Sequence, residues 1–176
     1  VTGLIGAMSK KVRPALYLVY AVCQGLVLGI ISRVYEAFYN GIVQQAIVAT
    51  AAAFFGMLFL YRSGRLRATP KFTRTLMGAA VGYMILALGS LIGSFFGLGG
   101  GMGLYGLSGF GPMLAIAGVA IASFFLVLDF DQIEQGVRAG IPQEESWRAG
   151  FGLLMTMVWL YMEILRLLAI LRGNDR

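Results

Sequence analysis

The sequence predicts an all-α fold, a polytopic transmembrane helical bundle with five complete spans. Three observations carry this. Of 176 residues, 59% are hydrophobic and only 12% charged, with a mean hydropathy of +0.80. Soluble chains carry roughly 25% charged residues, about twice as many. The apolar residues gather into five runs, each near the ~20 residues that cross a bilayer as a helix. Most of the charges fall in the stretches between these runs.

The runs are Pro14–Ser32, Ile42–Tyr61, Thr75–Gly97, Gly111–Leu128 and Ala149–Leu171. Pro14 and Pro112 fit first-turn positions, where a missing N–H costs nothing. Thr69-Pro70 predicts an N-cap followed by proline at the first helical position, so the third helix starts before its apolar run. Pro142 with Glu144 and Glu145 marks the last start, with acids at the positive end of the helix dipole. Thr2–Met8 is too short to cross. We read residues 1–13 as the remnant of a preceding helix plus a basic loop, and 1–176 as one transmembrane domain. The chain opens on Val1 with no secretory leader, so its start reads as truncated or processed.

Charge asymmetry gives an orientation. Lys10, Lys11 and Arg13 precede the first span, and Arg62, Arg65, Arg67, Lys71 and Arg74 lie between the second and third. The positive-inside rule places both groups, including the basic 62–74 loop, in the cytoplasm. The stretch between the fourth and fifth spans is then cytoplasmic too, and the C-terminus lies outside. The basic loop sets topology; it is also a candidate for anionic head groups or an acidic partner. It is too short, and too closely flanked by spans, for nucleic acid.

Glycines recur four apart at Gly25/Gly29, Gly78/Gly82 and Gly89/Gly93/Gly97, a pattern that lets helix backbones approach closely. Gly97–Gly111 holds eight glycines. It lacks the Lys-Ser/Thr of a phosphate loop and reads as a flexible external connection, or as the lining of a pore mouth. Cys23 stands alone in an apolar helix, which excludes an intrachain disulfide. There is no histidine, so a response to pH near neutrality falls to carboxylates. No enzyme constellation is visible: no histidine base, no nucleophile elbow, no metal-ligand spacing. No cofactor is expected.

Glu163 is the most informative residue. It lies inside the last apolar run, about 21 Å from Ala149 along a helix axis. An ionisable side chain at that depth costs about 2.5 kcal/mol or more, and is usually paired or lines a water-filled path. Arg166 is three residues on, within pairing reach. A neutralised Glu163–Arg166 structural pair is therefore the plain alternative to a functional acid. Asp129 and Asp131 end the fourth run. Two helical positions are about 200° apart, so only one of them faces the bundle while the other meets water or head groups. Glu134 and Arg138 have the spacing of a surface ion pair.

The sequences Leu128-Asp-Phe-Asp-Gln-Ile-Glu-Gln-Gly and Trp159-Leu-Tyr-Met-Glu-Ile-Leu-Arg-Leu-Leu resemble the last two helices of the Bax inhibitor/YccA-type (TMBIM) membrane proteins. Ala21-Val-Cys-Gln-Gly-Leu-Val-Leu-Gly, Leu60-Tyr-Arg-Ser-Gly-Arg-Leu and Thr69-Pro-Lys-Phe-Thr-Arg resemble an actinobacterial-looking branch of that family. The likeness covers nearly the whole chain. It implies helices three to seven of a seven-helix fold, with the last helix central and Thr2–Met8 the end of the second.

The resemblance also implies a function: a pH-sensitive calcium leak of the bacterial plasma (inner) membrane. In the family, an acid of the sixth helix and one of the seventh share a proton and control a closure. Glu163 falls on the seventh-helix position, and Asp129 or Asp131 is its partner. Ca2+ is the implied ion, with Glu163 and Asp131 as oxygen ligands. Three departures stand out. With the turn at Gly140–Gln143, a straight hairpin sets Glu163 opposite a residue in the low 120s rather than Asp131. Glu replaces the usual Asp. Gln24, a candidate polar residue of the pathway, stands where this branch often carries Glu. The alternative function is a non-conducting regulator that binds a partner such as a membrane protease. A proton-coupled transporter is less favoured, since no inverted repeat is visible.

Overall fold

The computed structural model describes residues 14–98, 103–106, 110–143 and 145–174. Five helices span α1 Pro14–Phe38, α2 Ile42–Arg62, α3 Pro70–Phe95, α4 Phe110–Ala139 and α5 Glu145–Asn174. A short 3-10 turn, Gly103–Gly106, lies between α3 and α4. Among the described residues there is no strand, and all five helices are long and apolar enough to cross a membrane. The expected helical bundle is what forms. Thr2–Met8, the basic residues Lys10, Lys11 and Arg13, and Glu144 lie outside the described residues.

The helices outrun the apolar runs, most of all at α4. It continues to Ala139, well beyond Leu128, because a helix satisfies its own backbone and need not stop where the lipid does. Thr69 caps α3 as expected, accepting from the Phe72 N–H at 3.2 Å, with Pro70 as its first residue. Glu36 caps α2 from outside. Its two oxygens accept from the Gly41 N–H at 2.6 Å and the Val43 N–H at 3.0 Å, donors a helix start leaves unpaired.

α5 is the central helix; α4, α2 and α1 pack against it. The core is built from Ile42 and Ala46 of α2, Ala122, Leu126 and Val127 of α4, and Leu160 and Leu165 of α5, all fully buried. α1 is tied on by aromatics and polar bonds. Tyr17 and Tyr20 pack on Phe151, and the Ser32 and Tyr161 hydroxyls meet at 2.7 Å. Arg172, near the end of α5, donates to the Asn40 carbonyl and to Gln45, both at 2.8 Å. The α1–α2 connection and the end of α5 therefore share one face of the membrane.

The glycine expectation needs correction. Gly25, Gly29, Gly78, Gly82 and Gly89 have open space where a Cβ would project, so these stripes do not bring helices of this chain together. The close approaches fall elsewhere, at Gly103, Gly111 and Gly118. Large apolar side chains of α1 such as Leu26, Val27 and Ile30 face outward, as lipid contact allows.

Candidate functional site

α4 and α5 form an antiparallel hairpin closed by Gly140, whose φ of 64° suits glycine, with the Ile141 N–H bonded to the Gly136 carbonyl. This turn sets the register. Gly152 of α5 lies beside Asp129, and Gly118 lies beside Glu163. The expected straight hairpin is what the structure shows, with Glu163 met a turn nearer the start of α4 than the low 120s.

Glu163 is 3% exposed, and both its oxygens are engaged. Tyr83 of α3 donates its hydroxyl to Oε2 at 2.6 Å. The Trp159 indole N–H donates to Oε1 at 3.0 Å. Arg166 donates one nitrogen to both oxygens, at 3.2 and 3.1 Å. The expected Glu163–Arg166 pair thus forms, with both oxygens of the buried carboxylate hydrogen-bonded, as tolerance of a buried charge requires. The network extends outward. The Tyr105 hydroxyl, from the 3-10 turn, meets that of Tyr83 at 2.8 Å, and the Arg166 guanidinium stands over the Tyr105 ring at 4.5 Å. Gly118 leaves room for this assembly, since a Cβ there would strike the Tyr83 hydroxyl and lie 2.7 Å from Glu163 Oε2.

Asp129 faces Thr156 and the backbone of Gly152 at the α4–α5 interface. Its Oδ2 is buried and has no hydrogen-bond partner among the described residues. Thr156 is two turns before Glu163, about 10 Å along the axis. Asp131 points the other way. It accepts from Tyr61 at 3.3 Å and from Gln135 at 2.5 Å. It lines a half-open cavity of about 810 Å3 with Tyr61, Arg67, Glu134, Gln135 and Arg138. Glu134 pairs with Arg138, as the spacing predicts, and also accepts from Tyr61.

The structure therefore does not bring Glu163 together with Asp129 or Asp131. The hairpin register separates the first two by two turns, and helical phase turns Asp131 towards α2. The joint ligation of a metal by Glu163 and Asp131 is not assembled, and no group of three His, Cys, Asp or Glu side chains converges among the described residues. Gln24 is half-buried on α1. The reading of residues 97–111 as a flexible connection misses Tyr105, because a lone tyrosine among glycines carries no periodic signal. Tyr83 is missed for a like reason: aromatics are common in apolar spans.

Residues 1–173 match the family described as Bax inhibitor 1 like. The chain belongs to the Bax inhibitor 1 like family. A Chlamydia muridarum protein described as "Uncharacterized protein" is 33% identical over 81 residues, which is 46% of this chain and 34% of that protein. The chain thus spans about a third of the length of the curated relative it matches. No solved structure matches the chain. Membership of the Bax inhibitor 1 like family agrees with the five apolar helices.

Proposed function

We propose that this protein is a pH-sensitive cation leak of the bacterial plasma membrane, with calcium as its ion and Asp129 as the group that gains and loses the proton. The carrying observation is the buried Oδ2 of Asp129, which has no hydrogen-bond partner among the described residues. Ionised, it is a negative charge with one oxygen unsatisfied, which is costly in the interior. Protonated, the charge is gone and the carboxyl gains a donor. Few groups compete for this role. Thr156 faces it from α5 and Tyr17 and Tyr20 of α1 pack nearby on Phe151, while Tyr61, Glu134 and Arg138 gather around Asp131 instead. Glu163, held by three donors, is tied to α3 through Tyr83, and this bond keeps α5 in place while Asp129 titrates.

Loss of the proton from Asp129 strains the α4–α5 interface and favours separation at that level. The freed carboxylate and the Thr156 hydroxyl then offer oxygen to a hard cation. The positive-inside rule places the Arg62–Arg74 loop, and with it the Asp129 end of the hairpin, at the cytoplasmic face. The test is calcium entry into liposomes measured on both sides of neutral pH. Flux rising with pH, and made flat by Asp129→Asn with protein still folded, supports the reading. A pH profile unchanged in Asp129→Asn overturns it.

The regulator reading rests on one feature. Gly25, Leu26, Gly29, Ile30, Arg33 and Val34 form a shallow outward groove on α1, which is the least buried helix. A partner helix seated there would protect a Leu26→Cys probe, placed in a Cys23→Ala background, from thiol reagents in native membranes; unchanged labelling speaks against this reading.

A further inference from the structure

We propose that Gly103–Gly106 is a re-entrant plug, held by Tyr105, that closes the α3–α4-loop side of the bundle. The first support is depth. Ser90 lies five residues inside the end of α3, about 8 Å below it, and Tyr83 about 18 Å below it. The Leu104 N–H donates to Ser90 Oγ at 2.9 Å, and the Tyr105 hydroxyl reaches that of Tyr83. Backbone that belongs to none of the five spanning helices has therefore entered the bundle. At membrane depth such backbone persists only when buried in protein with its polar groups satisfied. The Ser90 hydroxyl satisfies the Leu104 N–H, beside the buried Gly103.

The second support is fit. A Cβ on Gly103 would strike the Ser90 carbonyl, and one on Gly111 would strike the Tyr105 carbonyl. Gly103 also has φ of 62°, which favours glycine. These glycines are required by close packing of the turn against α3 and α4. Ser90 is 3% exposed, on the face of α3 that also buries Leu76 and Tyr83, and Gly103 of the turn packs directly against it.

The third support is the nature of the hold. Tyr105 engages Tyr83 by one hydroxyl bond and Arg166 by its ring face. Both partners also hold Glu163. The turn is thus fastened to the buried acid by polar contacts that break without unpacking a core. Withdrawal of Tyr105 would open a vestibule lined by oxygens of Ser90, Tyr83 and Glu163. Its effect on conduction rests on the leak reading above; its position does not.

The experiment uses reconstituted protein carrying Cys23→Ala and Ala87→Cys, a half-buried position one turn below Ser90 on the same face, which leaves the Ser90 hydroxyl in place. A membrane-impermeant methanethiosulfonate is added from the α3–α4-loop side. Labelling is expected to be slow with Tyr105 present, at least tenfold faster in Tyr105→Ala, and intermediate in Tyr105→Phe, which keeps the ring. Calcium flux is expected to rise several-fold in Tyr105→Ala. Ala87→Cys labelling as fast with Tyr105 in place as that of an exposed Phe96→Cys overturns the plug. So does labelling that Tyr105→Ala leaves unchanged. Labelling as expected with no flux from any variant upholds the plug and removes the leak; pH-dependent flux with unprotected Ala87→Cys does the reverse.

Discussion

Replacing Gly118 with alanine is the sharpest probe of the buried network. The new Cβ would collide with the Tyr83 hydroxyl and stand 2.7 Å from both Tyr83 Cζ and Glu163 Oε2. α4 cannot retreat, because Ala115, Ala122 and Leu126 of the same helix are fully buried or nearly so. Tyr83 must swing away and lose its bond to the carboxylate. Overpacking costs about 1–3 kcal/mol, and losing a hydrogen bond to a charged group costs about 1.5–3 kcal/mol. Removing a helical glycine returns about 1 kcal/mol. The expected net loss is about 1.5–5 kcal/mol of unfolding free energy, taken from the same three terms. SDS titration of detergent-solubilised protein, followed by tryptophan fluorescence, would measure it. Gly78→Ala is the control, since its Cβ meets open space, and it should gain up to about 1 kcal/mol. Most of the Gly118→Ala penalty should vanish when Tyr83 is already alanine, as coupling through one contact requires. A Gly118→Ala protein as stable as the Gly78→Ala control would refute the close packing of Gly118, Tyr83 and Glu163.

Arg166→Met leaves Glu163 buried beside no cation and should cost about 3–5 kcal/mol, with at least half recovered in Glu163→Gln/Arg166→Met; SDS titration checks both. Asp129→Asn should raise stability by about 1–3 kcal/mol above neutral pH, where the parent carries an unsatisfied buried charge, and leave it unchanged in acid, where a proton neutralises the parent; equal gains at both pH values would argue against ionisation there. Glu36→Ala removes the acceptor for the Gly41 and Val43 amides and should cost α2 about 1 kcal/mol. Hydrogen exchange at those two amides should quicken about fivefold, the rate equivalent of that loss.

The helices were legible because lipid imposes a simple rule on sequence: about twenty apolar residues per crossing, with charges between. The Thr69-Pro70 start and the Glu134–Arg138 and Glu163–Arg166 pairs were legible because they depend on spacing within one helix. What stayed hidden depends on phase between helices. Asp129 and Asp131 were equivalent on paper, and only the hairpin register and the turn of α4 show that the first meets α5 and the second α2. Tyr83 and Tyr105 were hidden for the same reason, being 22 residues apart and joined only by the folding back of a glycine-rich connection. The recurring small-residue pattern pointed to tight helix contacts, yet the tight glycines lie outside it. Such a pattern shows that a face can be approached; it does not show what approaches it.

The stretch of α5 between Glu145 and Glu163 acts as a timing device for the hairpin. One residue inserted within that helical stretch would rotate everything beyond it by about 100° and shift it about 1.5 Å. Glu163 lies about 27 Å up the helix from Glu145. Such an insertion near the start of α5 would carry the carboxylate away from Gly118 and Tyr83 without altering any residue that touches it. An insertion at 141–143, which is not helical, is absorbed in the connection and leaves the register alone. The distance from the helix start to its buried acid is therefore fixed by the contacts, while the connection before it is free to vary in length.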